Sequence, residues 1–247
     1  MSMFDQQNPY SYGYGNESMA AYAQESERTA FIRRTYAHLA AAVAMFIAIE
    51  TLIFSVTPAA TLNQITGLMF GGIGWLFILG GFMFISWIAN AWAANPGSQG
   101  KQYAGLMLYV CAQAVLFVPL LWIAKQVDAQ IIPAAGALTG IVFLGLTAMV
   151  FLTRADFSWL GRYLWLAGMV GLGLIVCAIV FNLNIFGLGV IGLFILLAAG
   201  YILYDTSNVL HHYNTNQHVA AALALFASVA LLFWYILQFV LSMQSRD

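Results

Sequence analysis

The sequence predicts an all-α fold, a polytopic membrane protein built as a bundle of seven transmembrane helices. Two observations carry this expectation. Hydrophobic residues make up 62% of the 247-residue chain and charged residues only 7%, whereas a soluble globular domain is nearer a quarter charged. The apolar residues also gather into seven runs, each long enough for the 20 or so helical residues that cross a hydrocarbon core. The formal net charge of −1 leaves no basic footprint for nucleic acid.

Residues 1–29 precede the first run and are polar, with a Tyr/Gly-rich patch at "YSYGYG". They read as a flexible cytoplasmic tail, helical from about Ser18, without the basic and apolar regions of a cleavable leader. Residues 30–247 form the membrane domain. Its runs fall at about 31–56, 66–94, 103–125, 131–153, 160–182, 186–210 and 218–243. The intervening breaks are "TPAATLNQ", "NPGSQGKQ", "QVDAQ", "RADFSW", "NLN" and "HHYNTNQ". Pro58, Pro96, Asn184 and Asn214 suit turns there. The shortest break, "NLN", requires a tight antiparallel hairpin. The second run contains "GGIGWLFILGG" and is expected to tilt, or to bend near Gly80 and Gly81.

Arg28, Arg33, Arg34, Lys101, Arg154 and Arg162 fall on the side of the amino terminus, and Lys125 and Arg246 on the other. Basic residues concentrate on the cytoplasmic side, which puts the amino terminus inside and, with an odd number of spans, the carboxyl terminus outside. Trp75, Trp87, Trp92, Tyr103, Trp122, Trp159 and Trp165 mostly lie near run ends, as an interfacial belt does. Two GxxxG motifs, Gly67/Gly71 and Gly136/Gly140, together with Gly168, Gly171, Gly187, Gly189 and Gly192, offer small surfaces. They fit close helix packing, or a mobile seam between helices. Cys111 and Cys177 lie inside apolar runs and read as small packing residues.

An ionisable side chain at a helix centre costs about 2.5–3.5 kcal/mol on insertion scales. Three candidates lie well inside the runs: His38 and Glu50 in the first and Asp205 in the sixth. At 1.5 Å per residue, His38 is about 7–8 Å above Arg33 and Asp205 about the same distance above the cytoplasmic end of its helix. Glu50 is about 25 Å above Arg33, near the outer face. His38 and Asp205 therefore share a layer, and Glu50 does not.

Asp205 reads either as a gate or cation ligand on an ion path, or as a structural carboxylate paired with Arg34 or His38 or bonded to Ser207. Glu50 either contacts outer-side cations or reaches up to the interface. His211, His212 and His218 invite a zinc reading, but adjacent histidines at a helix end diverge, and a solvated, titratable loop fits them better. No GxSxG, HExxH or CxxC motif occurs. The chain is expected to be no enzyme and to need no cofactor or metal.

Three stretches together resemble one family. "GYILYDTS" in the sixth run is similar to the signature of the Bax-inhibitor (TMBIM) family, including its bacterial YccA-like branch. "FIRRTYAHLAAAV" resembles the start of that family's first helix, and "LTGIVFLGLTAMVFLTRADFSWLGRYL" its fourth helix and following "DFS" turn. The likeness runs from about residue 30 to 243. It implies a seven-helix bundle with the last helix near its centre. It also implies a pH-sensitive calcium leak whose sensor is a pair of aspartates, one in each of the last two helices. Asp205 matches the first aspartate, while the second position, within "LFASVALLF", holds Ser228. Two close carboxylates can share a proton and switch near neutral pH, and a carboxylate facing a hydroxyl lacks that like-charge repulsion. The YccA-like branch implies a second possibility, modulation of a membrane-bound ATP-dependent protease. The expected partners are membrane lipid, calcium or protons, and such a protease, in a bacterial inner membrane.

Overall fold

A computed structural model describes residues 19–244, apart from 72, 182 and 184–186. Among these residues the chain is helical: α1 Glu25–Val56, α2 Ala59–Phe70, α3 Gly74–Ala93, α4 Gln99–Val127, α5 Ile131–Thr153, α6 Leu160–Val180, α7 Leu188–His211 and α8 His218–Gln244. Seven of the eight are long and apolar enough to cross a membrane. The exception is α2, whose 12 residues rise about 18 Å, too little to span.

The seven spans match the seven runs, but the second run differs in where it breaks. The chain does not bend at Gly80 and Gly81, which lie inside α3. It breaks after Phe70, where Gly71 leaves helical geometry at φ −75° and ψ 81°. The preceding residues, assigned to a polar turn by "TPAATLNQ", instead form α2. Pro58 starts this helix from an extended conformation, since its fixed φ and missing N–H suit a helix beginning. Its Leu62 packs with Val118 and Trp122 of α4, and the Trp122 indole donates to Asn63 Oδ1 at 2.8 Å.

The bundle is built around two helices. In their most apolar windows, α4 is 67% buried and α8 61%, against 11–22% for the other five spans. Around α8 stand α1, α3, α4, α5 and α7, and α4 adds α2 and α3. An aromatic column joins the central pair: Phe117 of α4 meets Phe233 and Trp234 of α8 with ring centroids 5.5 and 5.0 Å apart, and Phe46 of α1 at 5.2 Å. Trp75, at the start of α3, stacks on Trp234 at 5.8 Å. Trp75 and Trp122 are thus packing residues, while Trp87, Trp92, Trp159 and Trp165 are exposed as a belt requires. Helix α6 is outermost and leans on α7.

The two GxxxG motifs do not form seams: a side chain added at Gly67, Gly136 or Gly140 would meet nothing within 4 Å. Gly168 and Gly171 of α6 do serve close packing, since an added Cβ would stand 2.9 Å from the Tyr201 hydroxyl and 2.7 Å from the Phe194 ring of α7. Backbone approaches backbone at Gly105 of α4, where an added Cβ would stand 2.5 Å from the Ala89 carbonyl oxygen of α3.

Of the expected tail, residues 1–18 lie outside the described residues. Residues 19–29 are not free: Met19 forms an isolated antiparallel bridge with Asn214, and the Ala20 N–H donates to the Tyr213 carbonyl at 2.9 Å. Ala20 is fully buried there. Helix α1 begins at Glu25 rather than Ser18, with Glu25 and Glu27 in its first turn, where acidic groups complement the helix dipole.

Candidate functional site

Asp205 lies on α7, five residues after Gly200, where α7 crosses the buried face of α8. Its flanking face is apolar and closely packed, with Ile202, Val209 and Leu210 all buried. That burial fixes the rotation of the helix and turns Asp205 toward α8. The Ser228 hydroxyl of α8 donates to Asp205 Oδ2. Ser228 itself is buried and Asp205 partly so. The phenols of Tyr109 on α4 and Tyr201 on α7 lie within electrostatic reach of the carboxylate. In the α7–α8 loop, Tyr213 has its hydroxyl pushed up, first by burial and then by the Asp205 charge.

His38 and Arg34 share that end of the molecule but do not pair with Asp205. Among the described residues the one ion pair joins His212 to Asp156. His38 Nδ1 lies 2.6 Å from the Arg34 carbonyl oxygen, and its Nε2 lies 3.2 Å from the Tyr103 hydroxyl. A helical histidine one turn after Arg34 reaches that carbonyl readily, so local geometry takes the imidazole first. Its ring also faces His218 of α8, with centroids 5.0 Å apart. Arg34 is exposed. Arg34 and the two imidazoles are thus engaged elsewhere or exposed, and none forms an ion pair with Asp205.

The loop histidines are dispersed. His218 faces His38, His212 approaches Asp156 at 3.6 Å, and among the described residues no group of three metal-ligating side chains occurs.

Asp156 escaped the sequence reading as a site residue. It stands in the α5–α6 connection, just after Arg154, which caps α5 in the left-handed region at φ 51°. Asp156 Oδ1 accepts from the Ser158 N–H at 2.9 Å and from the Ser207 hydroxyl of α7 at 3.3 Å. Ser207 Oγ in turn accepts from the Phe157 N–H at 2.8 Å. The Ser158 N–H is the main cause holding the Asp156 carboxyl below its usual range, helped by the charge of His212. The "DFS" turn is thus bonded to α7 two residues beyond Asp205. The only sequence signal for this was the presence of "DFS" in the family resemblance; the partner Ser207 is 51 residues away.

Glu50 does not reach the interface. It is buried, 5% exposed, and neither carboxyl oxygen has a hydrogen-bond partner. It lines a crevice of about 910 Å³ between α1, α5 and α8.

The family model described as "Inhibitor of apoptosis-promoting Bax1" matches residues 28–246, which include every helix but the first turn of α1. The chain belongs to the Bax-inhibitor family. The Schizosaccharomyces pombe protein named Bax inhibitor 1 is 28% identical over 246 residues, 98% of this chain and 87% of that protein. A Neisseria meningitidis protein is 32% identical over 150 residues. The chain spans about three-fifths of that relative's length, 63%. The Escherichia coli protein named "Modulator of FtsH protease YccA" is 36% identical over 115 residues, 44% of this chain and 49% of that one. The Bax-inhibitor assignment and the seven-span bundle with α8 at its centre agree with one another.

Proposed function

We propose that this Bax-inhibitor-family protein passes cations across the membrane, with Asp205 and Ser228 as its gate. One observation carries the reading: the Asp205 carboxylate, inside a span, is bonded to a neutral hydroxyl on a central helix and, among the described residues, forms no ion pair. An intramembrane carboxylate is costly without a counter-charge, and a mobile cation can supply one. Carboxylate and hydroxyl oxygens are hard donors suited to calcium. Binding a cation there must rearrange the Ser228–Asp205 hydrogen bond, which links occupancy to the contact between α7 and α8. In this reading the amino terminus is cytoplasmic, the carboxyl terminus is outside, and the membrane is a bacterial inner membrane. The test is calcium uptake into liposomes carrying the purified protein. Wild type should admit calcium and Asp205→Asn should lose most of that flux; equal flux in the two would overturn the reading.

The relative named as a modulator of the FtsH protease favours a second reading. The membrane unit of residues 30–247 would then present residues 1–29 to a membrane-bound ATP-dependent protease. Removing residues 1–18 should change the protein's co-purification with such a protease or the lifetime of that protease's substrates. It should leave calcium uptake alone, so the experiment separates the two roles.

A further inference from the structure

The crevice around Glu50 is unlike the Asp205 site. Helices α1 and α5 each pack on α8, and the crevice opens between them toward the bilayer. Phe46, Phe143 and Phe233 line it, and its inner end is closed by the edge-on contact of Tyr36 with Phe151, ring centroids 5.8 Å apart. Exposed Ile47 and Gly136 stand at its mouth. The two glycines of "GALTG" keep it open, since a side chain at either would enter empty space. At about 910 Å³ it lies within the range of pockets that hold small organic ligands.

Its polar groups are few: the Tyr36 hydroxyl, buried and unbonded at one end, the Thr51 and Thr139 hydroxyls, and Glu50. The Thr51 and Thr139 hydroxyls are spent on carbonyls of their own helices, at 2.7 and 2.8 Å. The basic side chain nearest in the outer layer, Lys125, stands 5.5 Å from the Phe54 ring centroid and makes no ion pair with Glu50. Glu50 is left with two unbonded oxygens, both closely covered by neighbouring side chains, so a ligand reaches them only by parting the wall. A buried carboxyl in that state carries the full cost of its unmade hydrogen bonds. An ammonium group offers both the charge and the donors it lacks, and the surrounding wall accepts hydrocarbon.

We propose that this crevice binds a lipophilic amine entering from the bilayer, with its ammonium group on Glu50 and its apolar tail between α1 and α5. A bilayer phospholipid tail could occupy the wall but would leave Glu50 unpartnered. The charge complementarity therefore selects the amine. The site is independent of cation passage through Asp205, and its test reads binding rather than flux.

Full-length protein in phosphatidylcholine nanodiscs is treated with dicyclohexylcarbodiimide, which reacts with carboxyl groups in apolar surroundings. The carboxyl oxygen adds to the central carbon of the reagent while the proton passes to nitrogen. Acyl shift then gives a stable N-acylurea with no leaving group, detected by mass spectrometry on the peptide containing Glu50. N,N-Dimethyldodecylamine, a tertiary amine that cannot trap the activated carboxyl as an amide, should slow this labelling about tenfold, as one charge-assisted contact implies, and dodecanol should not. The same amine should also raise the melting temperature of wild type but not of Glu50→Gln. Gly136→Leu, which fills the crevice and keeps the carboxyl, should lose the protection by amine. Equal protection by dodecanol would show a tail site without charge recognition and overturn the proposal. So would labelling indifferent to the amine, or an unchanged amine response in Gly136→Leu.

Discussion

At the residue scale the molecule turns on three carboxylates in three settings. Asp205 is tied to a hydroxyl, Asp156 to a backbone N–H, and Glu50 to nothing. Asp205 was legible because charge is costly in a span and so marks itself; its partner Ser228 followed from the family register. The expected pairing with His38 and Arg34 failed because depth was read without direction: His38 turns back to its own helix carbonyl. Ser228→Asp would place two carboxylates side by side, where they share a proton. Calcium flux should then acquire a pH dependence near neutrality, absent in the wild type measured alongside. Asp156 gives a separate expectation. Its folded pKa is depressed, so its contribution to stability is present above the unfolded pKa and is lost as pH falls through the folded value. The melting temperature of Asp156→Asn should therefore lie below that of wild type at pH 7, and the two should converge below about pH 4, the range of an ordinary aspartate.

At the element scale, the spans were readable because a bilayer demands about 20 apolar residues in register with its thickness. A local break obeys no such rule. Helix α2 was hidden by Thr61, Asn63 and Gln64, which dilute an apolar window but leave Leu62 and Met69 to face the bundle. The GxxxG spacing also misled, because the motif records small residues without saying what faces them. Gly105 sits in no such motif, yet it is where α3 and α4 come closest. Its added Cβ would also lie 2.7 Å from the Ala93 N. Backbone cannot move aside as a flexible side chain can. Gly105→Ala should destabilise the α3–α4 contact by about 1–3 kcal/mol, the usual scale of overpacking, while Gly140→Ala should be near neutral. Thermal unfolding of both variants in detergent checks the contrast.

At the scale of the whole molecule, the central role of α8 was implied by the family likeness, whereas that of α4 was not anticipated. Helix α4 reads as an ordinary span, and its buried Gln102 and Gln113 give a polar hint only in hindsight: Gln102 donates to the Asn95 carbonyl at 2.8 Å and ties α4 to the preceding turn. Orientation is a property of the whole chain, summed over its loops. Reporter fusions at Ser2 and Asp247 should land on opposite sides of the membrane, with Ser2 in the cytoplasm. Landing on the same side would be incompatible with seven crossings.

The bridge between Met19 and Asn214 has a meaning in time as well as in space. Synthesis runs from the amino terminus, so residues 19–24 leave the ribosome long before the loop that fastens them exists. The fastening can form only once α7 has been inserted and the loop beyond it translated. It therefore distinguishes a finished chain from an arrested one, in a segment a cytosolic protease can sample under the proposed orientation. Nascent chains stalled before Asn214 should be cut within residues 19–24 by added protease, and chains released after Asp247 should resist cutting there.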